Sequence, residues 1–193
     1  MLDIFLSYLK LGFQHIVDIN GFDHLLFVIT LCAVYQLKEW RKIVIVITAF
    51  TLGHSITLVL ASLKIIIPNR HIIELLIPLT ILISAVFNLI AEKYELKSAK
   101  LWVKYAFALF FGLIHGMSFS SFFTDIMGDA TGIVLPLFSF NVGIEVGQFF
   151  VISLYYFLIY LIYKLFKTSY KRFAWFFSVL GIIVSIVLIY KRF

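Results

Sequence analysis

The chain has 193 residues, 63% of them hydrophobic and only 13% charged, with a mean hydropathy of +1.07, which excludes an ordinary soluble domain. The formal net charge of +6 does not indicate nucleic acid, because the basic residues lie in short stretches between apolar blocks, where they act as topology signals and as contacts to anionic headgroups. The single cysteine, Cys32, excludes an internal disulfide.

Residues 1–18 (MLDIFLSYLKLGFQHIVD) mix apolar and polar side chains and read as an amphipathic helix lying in the membrane interface. They lack a cationic start followed by a small-residue cleavage site, so no removed signal peptide is expected. A membrane-spanning helix needs ~20 mostly apolar residues. Six blocks answer to that: 22–37, 43–63, 71–91, 103–120, 134–163 and 173–190. The expected architecture is therefore all-α, a polytopic bundle of about six transmembrane helices plus the interfacial segment, forming one integral membrane domain over 1–193.

Charge sets the orientation. The connections around 38–42, 92–104 and 164–172 carry eleven Lys and Arg, against five on the other side: Lys10, Lys64, Arg70, Lys191 and Arg192. The positive-inside rule then places both termini outside, in a bacterial inner (cytoplasmic) membrane. Asp125 and Asp129, in an expected outer loop free of bases over 121–136, agree with that placement. Gly128, Gly132 and Pro136 mark the turn before the fifth span. Pro78 should kink the third span and free a backbone carbonyl one turn earlier, near Glu74.

Ionisable groups inside the spans carry the functional signal, since a bilayer penalises each by at least ~2.5 kcal/mol. The first span opens with Gly21-Phe22-Asp23-His24, and His15 precedes it. A carboxylate beside imidazoles can complement a helix dipole, or can begin a coordination shell for a divalent metal. In the second span Thr48, Thr51, Ser55 and Ser62 form one stripe at helical spacing, bordered by His54 near mid-depth. Glu74 stands in the first turn of the third span, where it can also stabilise the helix N-terminus.

The fourth span carries FGLIHGMSF, in which Gly112 and Gly116 form a small-residue ridge beside His115, and Ser118 lies within reach of that imidazole. The fifth carries FNVGIEVGQ. Asn141, Glu145 and Gln148 share one side of that helix, while Ser139, Gly143 and Gly147 share the other. A polar stripe turned inward and a small-residue ridge turned to a neighbour are expected. An acid deep in such a bundle must be paired, protonated or metal-bound. The sixth span (FAWFFSVLGIIVSIVLIY) has no ionisable group and reads as scaffold.

The strings GFQHI–GFDHLLF (12–27), TAFTLGHSITL (48–58), FGLIHGMSF (111–119) and FNVGIEVGQ (140–148) together resemble the HupE/UreJ family of membrane proteins, associated with nickel supply to hydrogenase and urease. The resemblance implies a metal permease, nickel favoured and cobalt accommodated, in which Asp23, His24, His115 and Glu145 serve transport, with His15 and His54 added by position. Where the family pattern spaces its histidine five residues from Asp-His, seven residues separate His15 from Asp23 here.

Two further chemistries use the same residues. An intramembrane zinc hydrolase acting on a lipid-like substrate would hold its metal on His and acid ligands, activate water, and have Ser55 and Ser118 at hand. A haem held between His54 and His115 is a third reading. The leading expectation is a permease for a divalent metal ion, captured at Asp23 and His24 with Glu74, and passed to His54, His115 and Glu145, with Asn141 and Gln148 in support. No nucleotide-binding motif is visible, so neither nucleotide nor nucleic acid is an expected partner; the metal ion and the lipid bilayer are.

Overall fold

A computed structural model describes residues 1–19, 21–93, 101–127, 132–167 and 169–192. Seven α-helices account for nearly all of them: α1 Leu2–Val17, α2 Phe22–Cys32, α3 Trp40–Ser62, α4 Arg70–Lys93, α5 Leu101–Met127, α6 Val134–Phe166 and α7 Tyr170–Arg192. A 3-10 turn, Leu37–Glu39, leads into α3. Lys97, Lys100, Gly128 and Asp129, used above for topology and turns, lie outside the described residues.

Helices α3 to α7 are each long and apolar enough to cross a membrane, and their exteriors are apolar: Phe150, Leu154 and Phe157 on α6 and Trp175, Phe176 and Ile183 on α7 are all exposed. The protein is an integral membrane bundle. The first span departs from the expected 22–37. Helix α2 stops at Cys32, and its 11 residues rise about 17 Å, roughly half of a hydrocarbon core. It meets α1 at 74°, and the two together make a broken span or a re-entrant hairpin. The N-terminal segment expected at the interface is thus a helix packed along α6.

The early end of α2 has a local cause. The last carbonyls of a helix lack intrahelical partners. Here the Tyr156 hydroxyl is shared between the carbonyls of Cys32 (3.2 Å) and Tyr35 (2.8 Å), and the Tyr170 hydroxyl reaches those of Ala33 and Tyr35. Two side chains from α6 and α7 therefore hold the chain where it turns towards α3. Asn69 similarly opens α4, its side-chain oxygen accepting from the amides of His71 (3.0 Å) and Ile72 (3.4 Å).

Close packing follows the small residues. Gly53 on α3 lies against the backbone of Leu109, and Gly112 and Gly116 on α5 lie against the backbones of Phe50 and His54. Gly143 on α6 meets the backbone of Leu9, and Gly12 on α1 meets that of Phe140. These ridges let the α3–α5 and α1–α6 pairs approach to backbone contact, the main source of helix association where lipid is as apolar as leucine.

Candidate functional site

Hydroxyl groups in this bundle mostly serve their own helices. Ser55 donates to the carbonyl of Thr51 (2.7 Å), Ser120 to Met117 (2.7 Å), Ser139 to Leu135 (2.6 Å), Ser178 to Ala174 (2.7 Å) and Ser185 to Gly181 (2.6 Å). The imidazoles do not. His15, His24, His54 and His115, from four different helices, form a file: ring centroids are 5.7 Å apart for His54–His15, 4.5 Å for His15–His24 and 5.1 Å for His24–His115. His54 and His115 are fully buried and His24 nearly so. Along the file, His15 Nε2, His24 Nε2, both nitrogens of His54, and His115 Nδ1 are buried with no hydrogen-bond partner among the described residues. Leaving such a group unmet costs ~1–3 kcal/mol.

Two of these rings are held in a defined tautomer. Asp23 Oδ1 lies 3.1 Å from His24 Nδ1 and also accepts the His24 backbone amide at 3.0 Å. A carboxylate only accepts, so His24 Nδ1 carries the proton and Nε2 keeps its lone pair. Thr80 spends its one hydroxyl proton on the carbonyl of Ile77 (2.7 Å), so its oxygen accepts from His115 Nε2 at 3.0 Å, and the free lone pair of His115 sits on Nδ1. An outer acceptor that orients an imidazole and raises its basicity is the usual support of a metal-binding histidine.

The aromatic surroundings exclude water and confine the rings. Phe27 lies 4.5 Å from His115, Phe119 4.2 Å from His15, and Phe119 stacks on Phe140 at 4.9 Å and 8°. The rings touch one another, and among the described residues no three His, Cys, Asp or Glu side chains stand ready as a coordination shell. Rotation about the side-chain torsions is what would open the file to an ion.

The other expected residues fall elsewhere. Glu145 accepts from Thr48 Oγ1 at 2.6 Å, and Gln148 accepts from Thr51 Oγ1 at 2.9 Å, so the α6 stripe does face α3 while Gly143 and Gly147 face α1. Among the described residues no hydrogen bond joins this layer to an imidazole. Thr48 is six residues from His54, about 9 Å along the α3 axis. Asn141 donates to its own helix at Leu137 (2.8 Å) and leaves its side-chain oxygen unmet. The Glu74 carboxylate pairs at the surface with Arg70 (2.7 Å). Ser118 is exposed, and Ser55 is committed to Thr51, so neither hydroxyl is set against an imidazole.

Arg192, filed by sequence with the flanking bases, belongs to the site. Its guanidinium donates to the Glu74 carbonyl at 2.6 Å and to Asp23 Oδ2 at 3.3 Å. Pro78 was the available signal, since the carbonyl four residues before it needs a donor from another element.

The family model described as HupE / UreJ protein matches residues 1–192, nearly the whole chain. No curated protein and no solved structure matches it.

Proposed function

The chain belongs to the HupE/UreJ family, associated with nickel or cobalt transport or accessory function, and from that premise we propose that it is a permease for a divalent transition-metal cation, with nickel favoured and cobalt accommodated. The observation that carries this reading is the file of four imidazoles whose buried nitrogens are unmet. Imidazole suits nickel, cobalt, zinc and copper, and a neutral ring binds only through a free lone pair.

In this reading Asp23 and Arg192 mark one end of the path. His24 Nε2 and His115 Nδ1 receive the ion, His15 bridges to His54, and Glu145 with Gln148 forms the next polar layer along α3 and α6. Serial sites suit transport, because conduction needs binding strong enough for entry and weak enough for release to a neighbour. With the lysine-rich end inside, capture occurs at the outer side and both termini lie outside.

Purified protein in liposomes tests this directly. Nickel or cobalt accumulation is expected from the wild type, with loss in His24→Ala, His54→Ala and His115→Ala. Intact transport in all three variants, or none in a folded wild type, sinks the proposal. Glu145→Gln should slow transport while retaining ion binding, since the imidazoles remain.

A further inference from the structure

The lysine-bearing end of the bundle holds a feature that the imidazole file does not use. A cavity of about 330 Å³ is lined there by Lys38, Lys42, Lys104 and Lys171 with a single carboxylate, Glu39. Glu39 is already paired with Lys42 at 2.6 Å, and among the described residues no carboxylate pairs with Lys38, Lys104 or Lys171. A second cavity of about 60 Å³ abuts it and is almost wholly apolar, walled by Val46 on α3, Ile83 and Phe87 on α4, and Phe107 and Phe111 on α5. Val34, Tyr35, Asn88 and Lys104 line both, so the two form one cleft with a cationic mouth and an apolar floor. The Lys104 ammonium lies over the Tyr35 ring, 5.2 Å from its centroid, at that junction. Ser84, buried and without a hydrogen-bond partner, lines the apolar part. Ile83 and Phe107 are also exposed on the outside of the bundle, so the floor is continuous with the lipid-facing surface.

We propose that this cleft binds one anionic phospholipid, its phosphate held by Lys38, Lys104 and Lys171 and an acyl chain laid along Val46, Ile83 and Phe107. Three cations without a carboxylate partner among the described residues repel the metal ion and call for an anion. The apolar floor gives a small inorganic anion nothing, whereas it matches a hydrocarbon chain entering from the membrane. Charge at the helix ends and hydrocarbon contact further along the helices reproduce the depth profile of a phospholipid. The cleft is built from α2, α3, α4, α5 and α7, so its lipid would brace three of the four helices that carry the imidazoles.

Native mass spectrometry of the purified full chain, with added phosphatidylglycerol, phosphatidylcholine or inorganic phosphate, tests the site. One phosphatidylglycerol per chain should be retained over phosphatidylcholine and should raise the melting temperature. Lys38→Gln, Lys104→Gln and Lys171→Gln should each weaken its binding about fivefold. Ile83→Trp, at a half-exposed position that tolerates bulk, should weaken it with every lysine in place. Equal retention of phosphatidylcholine, equal stabilisation by inorganic phosphate, or unchanged binding in both the lysine variants and Ile83→Trp would each overturn the proposal.

Discussion

Arg192 supplies the hydrogen bond that Pro78 takes from Glu74. The Glu74 carbonyl is the one that the amide of residue 78 would meet in an unbroken helix, and proline has no amide proton to offer. The guanidinium fills that vacancy at 2.6 Å and turns its other arm to Asp23 Oδ2 at 3.3 Å. Pro78 in α4, the end of α7 and the carboxylate that orients His24 thereby become one unit. Arg192→Gln should destabilise the protein by about 1 kcal/mol, the net worth of a part-buried hydrogen bond, and should weaken metal binding as His24 loosens. Arg192→Lys should recover only part of this, because one ammonium lacks the forked geometry. Thermal unfolding and nickel titration on the same preparations check both effects.

The acceptors behind the imidazoles should matter nearly as much as the rings. Asp23→Asn removes the charge that holds the Nδ1 proton of His24, and Thr80→Val removes the acceptor for His115 Nε2. Each is expected to lower metal affinity by about 10–100-fold while leaving the donor nitrogens in place. Calorimetric titration with nickel and cobalt reads this out, and affinities equal to wild type in both would detach these residues from binding.

Transport should fall as pH is lowered into the range where these imidazoles protonate. Protonation of an imidazole removes the lone pair that binds metal and puts a positive charge where the cation must sit. In a file of touching rings one protonated member also repels its neighbours. Initial uptake rates in liposomes, with internal and external pH matched, provide the measurement, and a flat profile would argue against histidine ligands.

The glycine ridges make a prediction about folding alone. A Cβ on Gly112 would drive into the carbonyl oxygen of Phe50 and lie 3.0 Å from the amide nitrogen of His54. One on Gly143 would strike the carbonyl of Leu9. Because these neighbours are backbone, they cannot swing aside, and Gly112→Ala and Gly143→Ala should each cost about 1–3 kcal/mol or more. Gly21→Ala is the control: its nearest neighbour is 3.9 Å away, and it should purify like the wild type.

Fold class and most of the ridge geometry were legible in the sequence, because both rest on short-range rules. A run of ~20 apolar residues must satisfy its backbone internally, so it is a helix. A spacing of four puts Gly112 with Gly116, and Gly143 with Gly147, on one face, and the structure does set those faces against α3 and α1. The same periodicity placed Glu145 and Gln148 on a face of their own, now seen against Thr48 and Thr51.

By itself the sequence determined that this is a helical membrane protein of the HupE/UreJ type with acids and imidazoles kept inside its spans, since composition and period are properties of the chain alone. Only the tertiary structure decided which of those groups meet. His15 and His24 lie nine positions apart, yet their rings come together only because the chain breaks between α1 and α2. His54 and His115 join them through the glycine contacts of α3 with α5, and Thr80 and Arg192 reach the file from α4 and α7. Helical spacing reports which face a residue takes, whereas the partner across that face depends on how the helices cross, which is set by close packing summed over the whole bundle.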